Sequence, residues 1–240
     1  MTPIICTDYE AMSLKAAQLA GEAIPRDRES LVSFPGGDTP LGFIKEFTKM
    51  VNAGAVDISR VRYVSLDEWV GLGKEDRGSC ACFNHTHLLG SLNRPFLETH
   101  IIDGKAADIG EECRRLDDFI AKYGPLDLSV LGIGLNGHLG FNEDGVDFEL
   151  NAHIIPLSST TKKVMGKYFD REYTLERGIT QGLKQIMAAK RIILIASGAH
   201  KAAILARSFR GPVDNSVPAS ILQNHPDCFV IADREAAAEL

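Results

Sequence analysis

The sequence predicts an α/β fold in which a mostly parallel sheet is covered by helices on both faces. Short apolar runs typical of buried strands alternate with segments whose apolar residues recur at helical spacing, and this alternation continues through the chain. Hydrophobic residues make up 45% of the 240 residues and charged residues 24%, as expected for a protein with a packed core. Ligands of such sheets bind beyond the carboxyl ends of the strands, so functional residues are expected where strands end.

The first elements follow from local signals. Met12, Ala16 and Leu19 recur at helical spacing and predict a helix that ends before Pro25. Residues 30–34 form a short β-like run, which stops at the Pro- and Gly-rich segment 35–40. Pro40 suits the first position of a second helix, with Asp38 or Thr39 as its cap.

The same pattern predicts the later elements. Gly124-Pro125 is a helix-stop signal, which places the end of a helix at Tyr123. Because no linker or internal repeat is apparent, we expect a single domain over residues 1–240. Strands are predicted at 61–66, 126–132, 153–157, 191–197 and 228–232, and helices at 109–123, around 179–188 and at 200–208.

Charge and composition narrow the function classes. The net charge is −6 and no basic block is present, which argues against nucleic-acid binding. No apolar run approaches the ~20 residues that span a bilayer, and the first residues lack a secretory pattern, so we expect a cytoplasmic protein with no membrane partner. The sequence is equally compatible with a monomer and a homo-oligomer.

The cysteines indicate neither disulfides nor metal. Five scattered cysteines in a chain of this length are expected to be reduced thiols. The pair Cys80 and Cys82 lies close to His85 and His87, but this spacing matches no common zinc site, so we expect no metal.

The first cluster of candidate functional residues is Gly36, Gly37, Asp38 and Thr39, between a strand and a helix. Backbone N–H groups at such glycines, the positive end of the helix and the Thr39 hydroxyl can together bind a phosphate. The same residues are also ordinary in a strand-to-helix turn.

The second cluster, Asp67-Glu68-Trp69, follows the next strand. Neighbouring side chains on an extended backbone point in opposite directions, so one acid can face the ligand while the other makes structural hydrogen bonds. Burial beside Trp69 would raise a carboxylate pKa into the range useful for a general base. The alternative is a solvated turn that caps a helix.

The third cluster lies in residues 131–145, where a buried strand runs into a glycine-rich segment containing Asn136, His138 and Glu143. A histidine five residues before a glutamate fits a proton-transfer residue with its orienting carboxylate. A lone histidine is more often structural, but the apolar residues around this one favour a catalytic segment.

These motifs, in this order, resemble the glucosamine-6-phosphate deaminase/isomerase family. The resemblance is carried by Gly-Gly-Asp-Thr-Pro, Leu-Asp-Glu-Trp-Val-Gly-Leu and Gly-Ile-Gly-Leu-Asn-Gly-His-Leu-Gly-Phe-Asn-Glu, and it continues through the segments at 157–161, 178–183, 197–202 and 218–223. It covers almost the whole chain. It implies a doubly wound Rossmann-like fold and conversion of an amino-sugar phosphate to a ketose phosphate with release of ammonia, without a cofactor.

The resemblance also implies roles for individual residues. Asp67 would move a proton between C2 and C1, and His138, supported by Glu143, would assist opening of the sugar ring. Asn136 would belong to the catalytic group, and Glu68 would bind the substrate. The phosphate would be bound by the glycine loop Gly36–Thr39, by Lys201 and by Lys167. Lys167 lies in the segment of about residues 157–180, which would correspond to the active-site lid of the family.

Two positions depart from the pattern of the best-known deaminases. Asn136 replaces an Asp and cannot ionise, and Lys167 replaces an Arg and so loses a bidentate donor. Asn136 and the Trp69 motif look closer to the galactosamine-6-phosphate branch, which leaves the sugar epimer open. The chain also ends soon after residue 235, so we expect none of the amino-sugar allostery of the longer hexameric members.

Two other functions compete with this interpretation. A 6-phosphogluconolactonase shares the fold, the glycine loop and the Gly-His element, but such lactonases usually lack an acid at the position of Glu143 and carry Asp-Glu-Arg where residues 67–69 are Asp-Glu-Trp. A sugar-phosphate sensor without catalysis is the other alternative. A transcription regulator of this type would need a DNA-binding module, for which neither the start of this chain nor its charge gives support.

Overall fold

The protein is described from a computed structural model, which covers residues 3–165, 169 and 173–240. Its strands are β1 (Ile4–Cys6), β2 (Ser30–Ser33), β3 (Val61–Val64), β4 (Asp67–Trp69), β5 (Glu98–His100), β6 (Leu128–Leu131), β7 (His153–Pro156), β8 (Arg177–Thr180), β9 (Arg191–Ala196) and β10 (Cys228–Asp233). Its α-helices are α1 (Tyr9–Ala23), α2 (Asp38–Asn52), α3 (Cys80–Phe83), α4 (Ile109–Tyr123), α5 (Ser159–Met165), α6 (Leu183–Met187) and α7 (Ala202–Arg210).

Seven strands form the main sheet, in the order β1-β10-β9-β6-β2-β3-β5, and all their pairings are parallel. From β2 the chain builds outward through β3 to β5, whereas from β6 it builds outward in the other direction. The order therefore reverses between the neighbouring strands β2 and β6. In an open α/β sheet this reversal opens a crevice at the carboxyl ends of the strands, where ligands bind.

Both faces of the main sheet are covered, which confirms the predicted fold class. In β9, Ile193 and Ile195 pack with α1 and α2 on one face, while Ile192 and Leu194 pack with α4, α6 and α7 on the other. This alternation follows from the two-residue period of a strand. A strand buried on both faces needs apolar residues throughout, and the continuous apolar run at residues 192–196 predicts such a strand.

A second sheet of three antiparallel strands, in the order β4-β8-β7, lies beside the candidate site. This sheet was not predicted from the sequence. Ile179 was expected in a helix, but it pairs with Glu68 of β4 and Ile154 of β7, and the helix that follows spans only Leu183–Met187. That prediction was wrong because Ile179 of β8 lies four residues before Leu183 and so continued the apolar spacing of the short helix.

Several other boundaries differ from the prediction by one or two residues, and two of them bear on the candidate site. Helix α2 begins at Asp38 with Gly37 as its N-cap, two residues before the predicted start, because Gly37 adopts a φ of 114° that favours glycine. Strand β3 ends at Val64, so Asp67 and Glu68 lie in β4 and not at the end of the preceding strand. No helix among the described residues is both long and apolar enough to cross a membrane.

Candidate active site

The predicted site residues follow three neighbouring strands of the main sheet. Gly36–Thr39 follows β2, the segment 132–143 follows β6, and Lys201 follows β9. Because parallel strands end at the same edge of the sheet, these three segments lie side by side across the crevice. Asp67 reaches the same place from β4 of the second sheet.

Asp67 lies beside the histidine segment. A Cβ at Gly140 would lie 3.5 Å from Asp67 Oδ2, in ordinary contact, but only 2.7 Å from Thr180 Oγ1, and this close approach and the φ of 58° both favour glycine at Gly140. Burial raises the pKa of Asp67 to about 6, against the lowering effects of a hydrogen bond from Cys80 and of the charge on His138. A carboxylate of this pKa is suited to proton transfer near neutral pH.

Glu68 has a different environment from its neighbour. It is fully buried, and Oε1 accepts hydrogen bonds from the N–H groups of Trp69 at 2.8 Å and Cys80 at 3.1 Å, while Oε2 accepts from Ala81 N–H at 2.6 Å. Burial raises the pKa of Glu68 to about 8, although the three N–H donors oppose that change. With both oxygens bound to backbone groups, Glu68 fixes the start of α3 relative to β4.

The histidine segment folds into a tight turn. Gly134 N–H donates to the His138 carbonyl oxygen at 3.0 Å, and Gly137, with a φ of 88°, donates to the Gly134 carbonyl oxygen at 3.0 Å. A Cβ at Gly134 would lie 2.3 Å from His138 Nε2. The imidazole ring therefore lies directly against the backbone of Gly134.

His138 belongs to a network centred on the buried carboxylate of Glu143. His138 Nδ1 lies 3.4 Å from Glu143 Oε2, and that oxygen also accepts a hydrogen bond from Asn136 Nδ2 at 2.7 Å. Glu143 Oε1 accepts from the Thr161 hydroxyl at 2.5 Å and from the Ser158 N–H at 3.3 Å. Burial would raise the pKa of Glu143, but the hydrogen bond and charge of His138, with Thr161 and Asn136, lower it to about 2.

The network determines which nitrogen of His138 is protonated. Nδ1 faces Glu143 Oε2 and, at 3.3 Å, Thr161 Oγ1, whose own hydrogen is donated to Glu143. Both oxygens can therefore only accept from Nδ1, so Nδ1 carries a hydrogen. In the neutral ring Nε2 is then the free base, available for proton transfer.

A buried glutamine joins this segment to the strands. Gln181 Nε2 donates to Ser33 Oγ and to the Ser65 carbonyl oxygen, both at 2.9 Å, and the backbone carbonyl oxygen of Gln181 accepts from Asn142 Nδ2 at 2.9 Å. These bonds connect the ends of β2, β3 and β8 to the histidine segment. Gln181 therefore joins the strand end that precedes Asp67, through its side chain, to the segment that carries His138, through its backbone.

The predicted phosphate-binding residues follow the two strands that flank β6, namely β2 and β9. Gly36 and Gly37 precede the 15-residue helix α2, whose first turn is held by Tyr9, because the Tyr9 hydroxyl donates to the Asp38 carbonyl oxygen at 2.9 Å and accepts from Gly42 N–H at 2.7 Å. Lys201 Nζ donates to the Ile133 carbonyl oxygen at 2.6 Å, which places its charge next to the end of β6. Thr39 is partly exposed at the start of α2.

One predicted residue cannot be placed. Lys167 lies outside the described residues, as does part of the expected lid. The described part of that segment includes α5, which begins at Ser159 and contacts Glu143 through Ser158 and Thr161. Among the described residues, no group of three or more His, Cys, Asp or Glu side chains is arranged to bind a metal ion.

The structure thus brings Asp67, Asn136, His138 and Glu143 together, with Glu68 buried behind them and Gly36–Thr39 and Lys201 at the neighbouring strand ends. Sequence reasoning did not identify Cys80 and Thr161 as members of the site. Cys80 was considered only as a metal ligand, and its place at the start of a four-residue helix left no periodic signal. Thr161 was visible only as part of a Ser- and Thr-rich segment.

Comparisons with known proteins show the family of the chain. A family model described as glucosamine-6-phosphate isomerases/6-phosphogluconolactonase matches residues 9–230. A glucosamine-6-phosphate deaminase of Lachnoclostridium phytofermentans is 40% identical over 232 residues, covering 96% of this chain and 98% of the relative. One from Thermoanaerobacter pseudethanolicus is 37% identical over 239 residues, covering 99% and 94%.

Solved structures show the same relationship. A monomeric glucosamine-6-phosphate deaminase superposes with a TM-score of 0.93 at 29% identity, with both chains covered completely. A 6-phosphogluconolactonase from Leishmania guyanensis superposes with a TM-score of 0.77 at 17% identity over 98% of each chain, which shows the shared fold. The chain therefore belongs to the glucosamine-6-phosphate isomerase/6-phosphogluconolactonase family.

Proposed function

We propose that this protein converts glucosamine-6-phosphate into a ketose 6-phosphate and ammonia. The observation that carries the proposal is a partly buried carboxylate, Asp67, whose pKa burial raises to about 6, beside the segment that carries the His138–Glu143 pair. The names of the curated relatives, glucosamine-6-phosphate deaminase, support the choice of substrate.

His138 opens the sugar ring in this proposal. The ring opens when the C1 hydroxyl loses its proton and the ring oxygen gains one, and Nε2 can serve in both transfers because Nδ1 is bound to Glu143 and Thr161. Glu143, ionised because its pKa is about 2, stabilises the positive imidazolium that forms in between.

Asp67 then moves one proton along the open chain. It removes the proton from C2 while O1 takes a proton from the ammonium group of the substrate, which leaves an enolamine. Asp67 then returns its proton to C1, which leaves a protonated imine at C2. Water adds to C2, and the C2–N bond breaks to release ammonia. The substrate and one water thus give the ketose phosphate and ammonia, with no net oxidation and only proton transfers by the protein. The scheme needs no cofactor or metal.

Binding of the phosphate would hold the reacting carbons in place. Gly36, Gly37, Asp38 and Thr39 offer the backbone N–H groups, the helix end and a hydroxyl, and Lys201 offers a positive charge at the end of β6, the strand next to β2. Lys167 is proposed as a second positive group of this site. Interactions with a remote phosphate can be used to orient the sugar for reaction.

Glu68 and Asn136 act through other residues in this proposal. Both oxygens of Glu68 accept backbone N–H groups, so its contribution is to hold β4 and α3 together instead of binding the sugar directly. Asn136 donates to Glu143 and thereby fixes the carboxylate that orients His138. Because Asn136 is neutral, it adds no second negative charge to that pair.

Galactosamine-6-phosphate is the second candidate substrate. The observations that favour it are Asn136 in the histidine segment and Trp69 after the two acids. In the structure Trp69 packs edge-on against Phe141 with ring centroids 4.1 Å apart, so the motif connects β4 with the histidine segment. The two epimers differ only at C4, away from the carbons that react.

The first test measures ammonia and ketose phosphate from both amino-sugar phosphates in parallel, with chelator present, and lactone hydrolysis beside them. We expect ammonia release with kcat/KM falling on the acid side near pH 6, where Asp67 becomes protonated. Asp67→Asn should lower kcat at least about 100-fold with substrate still bound. Lactone hydrolysis without ammonia, or an Asp67→Asn enzyme with normal kcat, would contradict the proposal.

A further inference from the structure

The turn that carries Lys201 is bonded to a carboxylate of the neighbouring strand. Asp233 is the last residue of β10, and β10 lies beside β9, whose carboxyl end leads into residues 197–201. Asp233 Oδ2 accepts hydrogen bonds from the Ser197 hydroxyl and, at 3.0 Å, from the Gly198 N–H. Asp233 Oδ1 accepts from the same N–H at 3.1 Å. The first two residues after β9 are thus both bonded to Asp233.

Asp233 acts on the site only through the residues that it bonds. Its side chain is buried, with 5% of the residue exposed, and Oδ1 also accepts from the Ala236 N–H at 2.8 Å. A carboxylate has about four acceptor positions on its two oxygens. The hydrogen bonds from Ser197, Gly198 and Ala236 use these positions, so we assign Asp233 no direct contact with the sugar phosphate.

A tight turn connects the residue that Asp233 bonds to Lys201. Gly198 has a φ of 88°, which favours glycine, and a Cβ built there would lie 2.9 Å from the ring of His200. The Lys201 N–H donates to the Gly198 carbonyl oxygen at 3.0 Å. The peptide group before Gly198 is therefore fixed by Asp233, and the carbonyl group after it fixes the backbone of Lys201.

The side chain of Lys201 is also fixed at its charged end. Nζ donates to the Ile133 carbonyl oxygen at 2.6 Å, beside the end of β6. A lysine side chain is a flexible four-carbon stem, so Nζ occupies one place only if the backbone at Cα is held as well. A shift of the Gly198 turn would strain or break the bond to Ile133 and move the charge of Lys201 away from the crevice.

We propose that Asp233 is a positioning residue for phosphate binding, in which its carboxylate fixes the turn at Ser197 and Gly198 and thereby keeps the ammonium group of Lys201 where the sugar phosphate binds. The inference rests on the function proposed above. A cation that is already in place loses little freedom when the phosphate binds. Because Lys201 contacts the phosphate both before and during the reaction, loss of its position should weaken substrate binding and leave the chemical steps unchanged.

The first experiment compares Asp233→Asn with the control Glu235→Gln. Asp233→Asn keeps the shape of the side chain but replaces one acceptor oxygen by an amide group that cannot accept the Gly198 N–H. It should raise KM for glucosamine-6-phosphate about tenfold with kcat changed by less than about twofold. Glu235→Gln removes a charge of the same sign from an exposed position of the following turn and should match the wild type. An unchanged KM in Asp233→Asn would overturn the inference.

A milder variant covers the case in which circular dichroism shows that Asp233→Asn does not fold. Ser197→Ala leaves Asp233 in place and removes only one of the donors that connect it to the turn. It should raise KM about threefold with kcat unchanged, since the bonds to the Gly198 N–H remain. A fall in kcat at constant KM would contradict a role in phosphate binding for either variant.

A double-mutant cycle separates positioning of Lys201 from a general structural role. Asp233→Asn is introduced into the wild type and into Lys201→Ala, and kcat/KM is measured for all four proteins. In the Lys201→Ala background Asp233→Asn should change kcat/KM by less than about twofold, because the group through which Asp233 acts is absent. A tenfold fall in both backgrounds would overturn the inference, because Asp233 would then act on the site independently of Lys201.

Isothermal titration calorimetry with glucosamine-6-phosphate tests the inference without turnover. The Kd of Asp233→Asn should be about tenfold higher than that of Glu235→Gln. Equal dissociation constants, including no binding in both proteins, would contradict the inference. If the wild type releases no ammonia from either sugar, the proposed function fails while the ratio of these two dissociation constants still decides the role of Asp233.

Discussion

Gly134 sets the position of the imidazole ring on which the proposed ring opening depends. The ring of His138 occupies the space that any side chain at Gly134 would need, and the other edge of the ring is held by Glu143 and Thr161. The ring is therefore confined from both sides. The orientation of the ring thus depends on the absence of a Cβ at Gly134 as well as on the contact between His138 and Glu143.

Gly134→Ala should displace the ring and lower kcat about 100-fold, since a shift of about 1 Å in a reacting group can have that effect. Gly132→Ala is the matched control, because a Cβ at Gly132 meets nothing within 4 Å. Steady-state kinetics and circular dichroism of both variants provide the measurement. Equal kcat for Gly134→Ala and the wild type would show that the ring position does not limit turnover.

At the scale of an element, α5 is tied to the acid–base pair at its first turn. Ser158 N–H and the Thr161 hydroxyl both donate to Glu143 Oε1, and the Ser158 hydroxyl donates to Thr161 Oγ1 at 3.0 Å. The start of the expected lid is therefore bonded to the carboxylate that orients His138. A shift of α5 would therefore move the Glu143 carboxylate and change the orientation of the His138 ring.

Thr161→Val replaces the hydroxyl by a methyl group of similar shape and removes the donor to Glu143. We expect kcat to fall about tenfold, because a hydrogen bond to a charged group contributes about 1.5–3 kcal/mol. Thr161→Ser should retain most of the activity. Thr160→Val, at an exposed position of the same helix, serves as the control. Thr161→Val kinetics matching those of Thr160→Val would refute the coupling.

Some helices and strands could be predicted from local sequence signals, whereas others depend on contacts between distant segments. The helix at Ile109–Tyr123 was predicted residue for residue, because Asp108 caps it and Gly124-Pro125 ends it. Strand β4 was missed because two of its three residues are acids, and the carboxylate of Glu68 is accommodated by N–H groups of α3 that no local pattern reveals. His138 was found because it follows a buried strand of the parallel sheet, and Asp67 because two adjacent acids precede a Trp, although Asp67 lies in β4 of the second sheet. Thr161 required the three-dimensional contact with Glu143.

In the whole molecule, the carboxyl ends of the parallel strands carry the candidate site, whereas their amino ends carry a stabilising contact. The carboxyl ends of β2, β6 and β9 carry the candidate site, and the amino ends are joined by Asp127. This carboxylate is 4% exposed and accepts hydrogen bonds from Leu31 N–H at 3.0 Å, Arg28 at 2.6 Å and Lys190 at 2.7 Å. The contacts of Asp127 are therefore separated from the candidate active site by the length of a strand.

Asp127→Ala should lower the free energy of unfolding by about 2 kcal/mol, since it leaves the buried Leu31 N–H without its acceptor. Asp118→Ala, at an exposed position of α4, should change it by less than about 0.5 kcal/mol. Urea unfolding measures the stability, and kcat at a temperature where both variants are folded should stay at the wild-type value. A stable Asp127→Ala protein, or one folded but inactive, would contradict this division between the two ends.

The antiparallel pairing of β7 with β8 has a consequence for the evolution of the site. Pro156 pairs with Arg177, and Leu157 N–H donates to the Glu176 carbonyl oxygen at 2.9 Å, so the chain between them leaves and returns at one fixed point of the second sheet. Doubling the length of a flexible segment with fixed ends costs only about 0.6 kcal/mol. Changes in the length of the chain between Thr161, the last residue bonded to Glu143, and Leu175 can therefore accumulate during evolution without shifting the register of β8.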